Sequence, residues 1–522
     1  MKRFIIFFVS GMFFLWSVNS CTKLRTNIYD RVPVLNFWRT TDEIAAGVAP
    51  VYANLRNGID MFQTYPLLEC STDEVIVPVR GKDWDDRSMW EPLWKHTWTP
   101  AHSDLEFFWS YVYTGSSSVN AILKAVNDIT PRPANLFSIQ AELKTVRAYY
   151  YFQALDLFGN VPVDTSYVLS GSKQDTTIER PAVFAFVEKE IKNNISLLSK
   201  EVNQKTYGRA TQWFAYALLA KLYVNAKVYS GMTRWTDCIN ACDSVLLSGN
   251  YMLEPNFFDN FSIANDKSRE NIFAIPFDHV AGLNGFWIQA ASLHYDSWKS
   301  FGLDGGGANG FCSTKEYLDI FNQNDIRRNT FLVGQQYINE NQYANQSGSS
   351  DTLFDSDSNL PLFFDPEINV FSLTGSKLDM KGARCSKWEF NKTGGGLMSN
   401  DFAIFRLADI ILMKAEAQLM SGDMNAALVT LNKNYGSVSI RSRAHMPDFT
   451  SAEMNTDGLL AERAREFSWE GWRRNDMIRL GHFTDARIPE KTKDPDDHFK
   501  LYPIPEAEIE KNPYLKQNPG YH

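Results

Sequence analysis

The chain of 522 residues lacks several features that would point to a function directly. It has no nucleophile elbow, P-loop, HExxH or Rossmann glycine fingerprint, so the sequence gives no sign of the common catalytic and nucleotide-binding sites. Positive charge is in deficit: 52 Lys and Arg stand against 61 Asp and Glu, a net charge of −9, without a basic stripe. Nucleic-acid binding needs clustered Lys and Arg to neutralise phosphates, so we expect no nucleic-acid partner.

Cysteine is also scarce, with six residues in the whole chain. Five of them show no metal-ligand spacing: Cys70, Cys238, Cys242, Cys312 and Cys385. Cys238 and Cys242 lie four residues apart on a predicted helix, where a disulfide is geometrically awkward. We therefore expect buried free thiols, not a disulfide scaffold.

An apolar run of roughly 20 residues, the length that spans a membrane, is absent. Near the N-terminus, Lys2 and Arg3 precede the shorter run "FIIFFVSGMFFLWSV" and then "NSC". This pattern is typical of an export signal, here residues 1–20. "SVNSC" resembles a bacterial lipobox, in which Cys21 is lipidated and becomes the mature N-terminus, although Asn19 departs from the usual small residue. The alternative is an ordinary cleavage site and a soluble periplasmic protein.

Three regions are predicted after the signal. Residues 21–270 form an N-terminal helical scaffold, with two capping boxes, at Thr40-x-x-Glu43 and Ser103-x-x-Glu106. Its helical patterns cover 136–157, 181–199, 211–229 and 234–247. Residues 271–400 contain 14 of the 30 glycines, which predicts loops with short strands.

Residues 401–522 form a C-terminal helical segment and tail. Helix is predicted from "DFAIFRLADIILMKAEAQLM", where Phe405 opens an apolar stripe, and Gly422 makes the turn into an antiparallel partner. This helix–turn–helix unit resembles a tetratricopeptide repeat, although a clean period of about 34 residues is missing. The predicted fold is mainly α: a tetratricopeptide-like superhelix of helical pairs with a large irregular, loop- and short-strand-rich insertion.

Five stretches, in this order, resemble the SusD/RagB family: "RGKDWDDRSMWEPLWKHTWTP", "AELKTVRAYYYFQALDLFGNVPV", "RATQWFAYALLAKLYVNA", "FRLADIILMKAEAQL" and "REFSWEGWRRNDMIRLG". They span roughly residues 30–510, nearly the whole mature chain. The resemblance implies an outer-membrane surface lipoprotein that binds glycans and caps a SusC-like, TonB-dependent transporter. It also implies a superhelix of tetratricopeptide-like pairs that supports a variable, loop-rich half.

The aromatic loop at 80–100 is the first candidate site. Sugar rings present C–H faces that stack on flat side chains, and their hydroxyls bond to charged groups, so an exposed Trp flanked by charge is required. The segment "DWDDRSMW" contains Trp84, Asp86 and Arg87, which we predict to bind the ligand. It also contains Trp90, for which ligand binding and packing are equally expected. Trp94 and Trp98 lie among apolar neighbours and are predicted to be structural.

A second candidate lies in the irregular region, where loops can project a platform. It contains Trp287, Tyr295 and Trp298, and the alternative is packing within the insertion. In the resembled family the binding aromatics come from these two regions, but their identities vary between members.

The charged stretch "AERAREFSWEGWRRNDMIRLG" is predicted to be scaffold, because Glu462, Glu466 and Glu470 recur every four residues beside several arginines. Guanidinium groups lower carboxyl pKa values, whereas hydrolysis requires one acid with a raised pKa. The loop "FDSDSNLPLFFDPE" begins like a calcium loop with Asp355, Asp357 and Asn359, but it lacks the required Gly and Glu. A solvated loop is the prediction, and no cofactor is expected.

These observations predict a non-catalytic, lipid-anchored protein that captures oligosaccharide or polysaccharide and delivers it to the transporter. Two alternatives remain open: a peptide-binding uptake lipoprotein of the same fold, and a surface glycoside hydrolase.

Overall fold

The computed structural model describes residues 41–129, 135–166, 176–283, 286–339, 342–343 and 351–521. The predicted signal at 1–20, the lipidation residue Cys21 and the capping residue Thr40 lie outside these ranges. The chain divides into two units, Met1–Ala45 and Ala46–His522, and the candidate site described below lies within the second.

The described residues are mainly helical, as predicted. In chain order the helices are α1 (Thr41–Ala53), α2 (Tyr65–Glu69), α3 (Trp90–Lys95), α4 (Ser103–Asn127), α5 (Leu136–Leu157), α6 (Arg180–Asn194), α7 (Gln212–Val224), α8 (Ala226–Ser230), α9 (Trp235–Leu246), α10 (Ile288–Ser292), α11 (Ser297–Phe301), α12 (Lys315–Leu318), α13 (Leu407–Met420), α14 (Met424–Asn432), α15 (Thr456–Phe467), α16 (Arg473–Leu480) and α17 (Glu506–Lys511).

In the described part of the chain, short strands form four two-stranded sheets. The strands are β1 (Val79–Arg80), β2 (Asn271–Ile275), β3 (Phe331–Leu332), β4 (Gly334–Gln335), β5 (Phe363–Phe364), β6 (Ser372–Leu373), β7 (Arg384–Cys385) and β8 (Phe402–Arg406). The pairs are β1 with β6, β2 with β8, β3 with β7 and β4 with β5; only the first is parallel.

The scaffold is built from helices that pack as neighbours: α4 packs on α5, α5 on α6, α7 on α9, α9 on α13 and α13 on α14. The central helices α5 and α7 are buried on nearly every side, which explains why neither has a polar face. Side-chain caps begin several helices; Thr211 accepts from the Phe214 amide and Asp423 from the Ala426 amide. The mainly α fold is thus confirmed, and the tetratricopeptide-like detail of the pairs stays a prediction.

Two local predictions need correction. Helix α4 is capped by the His102 ring, which accepts from the Asp104 amide, so Ser103 is the first helical residue and not the cap. Residues Phe402–Arg406 form strand β8, and the helix begins only at Leu407, so Phe405 lies outside the helical stripe predicted for it. All five residues of β8 are buried against β2, and a fully buried strand has no alternation that separates it from a buried helix.

The charged stretch near the C-terminus is scaffold, because its carboxylates lie in a buried ion network. Glu466 is fully buried and accepts from Arg406 and Arg443 at 2.6 Å each and from Arg327 at 3.0 Å. Burial alone would raise the pKa of Glu466, but the guanidinium groups of Arg443, Arg406 and Arg327 hold it well below its usual value.

The same network surrounds Glu462. Burial opposes ionisation there, but Arg327, Arg465 and Arg441 lower the pKa of this carboxyl to about 2. Glu462 and Arg465 form an ion pair three residues apart on α15, as helical spacing predicts. The other arginines that pair with Glu462 come from distant segments.

Two sequence predictions concern thiols and membranes. Cys70, Cys238, Cys242, Cys312 and Cys385 are all buried and free, as predicted. Among the described residues, no helix combines the length and apolar character needed to cross a bilayer.

Candidate functional site

The candidate site lies where the aromatic loop meets the irregular region. Trp84 donates from Nε1 to the carbonyl oxygen of Ala308 at 2.8 Å. Tyr295 donates from its hydroxyl to Asp83 Oδ2 at 3.1 Å. Two regions that are more than 200 residues apart in sequence, each predicted separately to bind ligand, therefore form one surface.

Trp84 rests on a base of other aromatic rings. Its ring is stacked with Phe62, at 6.3 Å between centroids and 19° between planes. Phe311 meets it edge-on at 5.9 Å, and Trp90 is tilted against it at 6.1 Å. Contacts of this kind hold an indole in one orientation, which is what a binding platform needs.

Exposure separates the predicted residues into two groups. Trp84 and Tyr295 are half-buried, and Asp86 and Arg87 are exposed. Trp90 is only 3% exposed, so its prediction as a ligand-stacking residue is corrected. Its ring packs against Phe311 at 5.3 Å and its Nε1 donates to Asp86 Oδ2 at 2.7 Å, which makes it a support for the loop.

Trp94 and Trp98 are buried, as their structural role predicts. Trp94 donates to the carbonyl oxygen of Pro489 and Trp98 to the hydroxyl of Tyr521. Both indoles therefore fix the end of the aromatic loop to the C-terminal tail.

The loop that carries Trp84 has an unusual backbone. Trp84, Asp86, Arg87 and Ser88 all adopt positive φ, at 62°, 39°, 59° and 61°. Each such non-glycine residue costs on the order of 1 kcal/mol, and strain of this kind concentrates at functional sites and ligand clamps. The strain supports a binding role for this loop.

Two glycines allow the close approach of the segments. A Cβ on Gly310 would lie 2.3 Å from Cζ2 of Trp84, so the indole lies directly on this residue. A Cβ on Gly307 would lie 1.8 Å from the carbonyl oxygen of Leu293, so the glycine run can follow the backbone that leads to Tyr295. The "GGG" at 305–307 thus helps to position the site.

The remaining two predicted aromatics are less closely tied to this surface. Trp298 on α11 is 43% exposed, with the Lys299 ammonium 5.5 Å from its ring centroid. Trp287 precedes α10 and is half-buried. Within the described ranges, no hydrogen bond or ring contact joins Trp287 or Trp298 to Trp84.

Charges of both signs lie near Tyr295. Burial and the neighbouring Asp83 raise the pKa of the Tyr295 hydroxyl to about 12, and Arg80 opposes this rise. Burial also raises the pKa of Asp379; Arg80 opposes this rise as well, and Asp355, Asp357 and Asp83 add to it. The site therefore combines carboxylates with a buried guanidinium group.

Arg80 supports the site from beneath. It is 1% exposed and donates to the carbonyl oxygens of Asn309 at 2.7 Å, Leu378 at 2.5 Å and Lys381 at 2.8 Å. These bonds join the strand before the aromatic loop to both segments of the irregular region.

The loop that begins like a calcium loop, and was predicted to be solvated, has its carboxylates in different places. Asp355 is buried and its Oδ2 accepts from the Ser358 amide, whereas Asp357 and Asn359 are exposed. Asp355 does meet His294 and Asp296 in a group that could offer three ligand atoms within 4.8 Å. The His294 Nδ1, however, accepts from the Asp296 amide, which leaves the proton of the neutral ring on Nε2, the atom that faces Asp355 at 3.6 Å.

A protonated Nε2 is a poor metal ligand. Burial and the Arg384 guanidinium lower the pKa of His294 to about 3, which keeps the ring neutral. The carboxylates are also engaged, since Asp296 accepts from Lys299 and Ser356, and Asp355 accepts from Ser358. The group therefore fits an internal support better than a cation site.

Three residues of the site were not predicted from the sequence: Phe62, Phe311 and Gly310. Phe62 and Phe311 belong to the aromatic base, but neither lies in a segment with several tryptophans. No spacing rule connects residues this far apart, so only the fold could identify them.

A second concavity lies between α4 and α5. It has a volume of about 400 Å³ and is lined by polar groups that include Asn120, Lys144 and Arg147, without an aromatic ring. It lacks the flat faces on which a sugar stacks, so it is the weaker candidate.

Comparisons with known proteins bear on both halves of the chain. A family described as the SusD family matches residues 379–521, and one described as "Starch-binding associating with outer membrane" matches residues 42–224. The chain is 25% identical over 496 residues to the starch-binding protein SusD of Bacteroides thetaiotaomicron, covering 88% of this chain and 85% of that protein.

Solved structures share the fold. A laminarin-binding SusD-like protein superposes with a TM-score of 0.71 at 20% identity, over 93% of this chain and 100% of that one. Surface glycan-binding protein A from Bacteroides thetaiotaomicron, in complex with laminarihexaose, superposes with a TM-score of 0.69 at 19% identity, over 92% and 99%.

Proposed function

We propose, on the premise that this chain belongs to the SusD/RagB family, that it binds a glycan at the outer membrane without cleaving it. The ligand is an oligosaccharide or a polysaccharide. It is delivered to a SusC-like, TonB-dependent transporter.

The observation that carries the proposal is the supported indole of Trp84. A sugar gains most from an aromatic face that is already fixed, because little freedom is lost on binding. Phe62, Phe311 and the Gly310 backbone hold this ring, and Asp83 beside Tyr295 offers a carboxylate to sugar hydroxyls. The relatives named above as binding starch or laminarin support the class of ligand.

A Trp84→Ala variant tests the proposal. An aromatic anchor of this kind contributes roughly 2 kcal/mol, so the variant should bind about thirtyfold more weakly. Affinity electrophoresis against a panel of neutral and acidic polysaccharides, followed by calorimetry on the best ligand, measures this. Phe137→Ala removes a 65% exposed ring from α5 and is the matched control. Equal affinity of wild type and the Trp84 variant would contradict the proposed site.

A hydrolytic activity is the second candidate, because Asp379 has a raised pKa and lies in the field of Asp83. Glycosidases use one such acid beside an ionised carboxylate. Release of reducing ends from the bound glycan, compared between wild type and Asp379→Asn, distinguishes the two. We expect no release from either protein.

Peptide uptake is the remaining alternative. A peptide-binding protein would be retained by peptides and not by any polysaccharide in the panel. Because stacking on Trp84 serves sugar rings, we expect retention by polysaccharide.

The proposals that the protein is anchored in the membrane and delivers its ligand to the transporter are supported by the sequence and by the family resemblance. We propose that Cys21 carries the lipid and that the protein faces outward. Cys21→Ser should then release the protein from outer-membrane fractions, and protease added to intact cells should digest the wild type. Co-purification of the transporter with the wild type tests the partner.

Binding is proposed to require no metal. Asp296 and Asp355 already accept hydrogen bonds from neighbouring protein groups, so EDTA should leave glycan affinity unchanged within twofold.

A further inference from the structure

A small sheet in the irregular region has an exposed aromatic face. Strand β4 pairs with β5, and the next turn of chain adds the bridges Tyr337–Thr352 and Phe354–Pro361. Directly opposed residues of antiparallel strands project to the same side, as do residues two apart on one strand. One side of the sheet, called the outer face, therefore carries Gln335, Tyr337, Thr352, Phe354, Pro361 and Phe363.

The opposite side of the sheet is its core side. Leu353, Leu362 and Phe364 are buried there and pack with Phe301 and Leu293 from the segment around α11. This core fixes the register of the sheet, because a shift by one residue would expose these side chains.

The outer face carries aromatic rings at positions where a strand that faces solvent usually carries polar side chains. Phe354 is 48% exposed and Phe363 is 50% exposed, while solvent-facing strand positions are ordinarily polar. Gln335 and Thr352 lie on the same face and supply amide and hydroxyl groups beside the rings. Exposed rings next to neutral hydrogen-bonding groups form the pattern that a sugar chain uses.

The hairpin of the outer face is hydrogen-bonded to the segment that carries Tyr295. Asp296, next to Tyr295, accepts from the amide of Ser356 at 2.8 Å and from its hydroxyl at 2.9 Å. Ser356 is two residues from Phe354, so only a few residues separate Tyr295 from the first ring of the outer face.

Charge narrows the class of ligand. The six outer-face residues carry no formal charge, and Asp357 lies at the tip of the same hairpin. The face therefore offers no positive charge to an anionic polysaccharide, a nucleic acid or an anionic lipid. A neutral chain of pyranose rings needs none.

We propose that the outer face is a second binding surface for a neutral polysaccharide, contacting a part of the chain beyond the segment held at Trp84. This inference rests on the proposed function and names the substrate class and a second contact. A long chain engages both surfaces, and a short oligosaccharide engages only the first. Linked contacts of this kind raise apparent affinity without changing the affinity of either contact.

A Phe354→Ala/Phe363→Ala variant tests the proposal. Both rings are half exposed and lie opposite the core side, so the variant should keep the wild-type melting temperature within about 2 °C. The probes are soluble starch, laminarin and xyloglucan as neutral polysaccharides, polygalacturonate and alginate as anionic ones, and hexasaccharides of the neutral polymers. Trp84→Ala and the Phe137→Ala control are measured in parallel.

The expected result is retention of the wild type by a neutral polysaccharide and a tenfold or greater loss of that affinity in the double variant. Hexasaccharide affinity should stay within twofold of the wild type in the double variant and fall in Trp84→Ala. Unchanged polysaccharide affinity in the double variant would overturn the second surface and leave the proposed function intact.

Three other outcomes also decide the question. Retention only by anionic polymers would overturn the substrate class. A double variant that keeps full polysaccharide affinity but no longer co-purifies the transporter would show the outer face to be a protein contact instead. Failure of the wild type to bind any glycan would overturn the proposed function, and this inference with it.

Discussion

Replacing Glu466 with glutamine removes one negative charge from the centre of the buried ion network while keeping the size of the side chain. Glu466 accepts from three guanidinium groups, those of Arg327, Arg406 and Arg443. A glutamine can accept through one oxygen, but its amide nitrogen would point donor hydrogens at another donor. The variant therefore leaves a buried cationic cluster without its central counter-charge.

The expected loss in the free energy of unfolding follows from the arginines that lose their ion-pair partner. Breaking a buried ion pair costs roughly 3–5 kcal/mol, because the charge that remains stays desolvated. With an unfolding entropy of about 2.1 cal/mol/K per residue over roughly 480 residues, each kcal/mol lowers Tm by about 1 °C. We therefore expect Tm to fall by about 3–5 °C.

Differential scanning calorimetry measures the shift, and Glu453→Gln is the control. Glu453 accepts from Arg441 at 2.9 Å and from the amide and hydroxyl of Thr450, and its side chain is 42% exposed, so its loss should cost about 1 kcal/mol. The folded pKa of Glu466 lies below its ordinary value of 4.5, so its contribution is present above that pH and is lost as the pH falls. The gap between wild type and Glu466→Gln should shrink below pH 4.5. Equal Tm values for the two variants at pH 7 would refute the reasoning.

Two further predictions concern a carboxyl pair and the platform. Glu69 and Glu74 are buried together, and burial raises the pKa of both carboxyl groups, that of Glu74 to about 7. The stability that the protonated groups contribute at low pH is therefore lost as the pH rises, for Glu74 through about 7. Glu69→Gln should flatten the fall of Tm between pH 5 and pH 8, and an unchanged slope would contradict this. Gly310→Val should displace the Trp84 ring and reduce glycan affinity as strongly as Trp84→Ala, with a red shift in tryptophan fluorescence. Wild-type affinity in this variant would show that the ring does not depend on the glycine.

The helical scaffold could be predicted from the sequence because its signals are local. The pattern over 136–157 matches α5, since the repeat of apolar residues and the stop at Gly159 lie within one segment. Strand β8 could not be predicted in the same way. Its five residues are buried by pairing with β2, more than 120 residues earlier in the chain, and no local signal records that pairing.

The candidate site could be predicted in part. Trp84 and Tyr295 were identified because sugar binding requires an aromatic ring next to charge. Trp90 satisfies the same rule, yet it is buried, since its exposure depends on Phe311 from a distant segment. The rule selects residue types, and the fold decides which ring faces solvent.

The buried ion network has a consequence for how the chain becomes stable. Its charges come from segments as far apart as Glu270, Arg327, Arg406, Arg443 and Glu466, so most of its ion pairs join distant parts of the chain. A fragment that ends before β8 would keep the pair of Arg327 with Asp325, but it would bury Glu270 without Arg406 and Arg443. It would therefore be a poor independent folding unit. The irregular region and the helical scaffold should accordingly unfold in a single step, however different their sequences look.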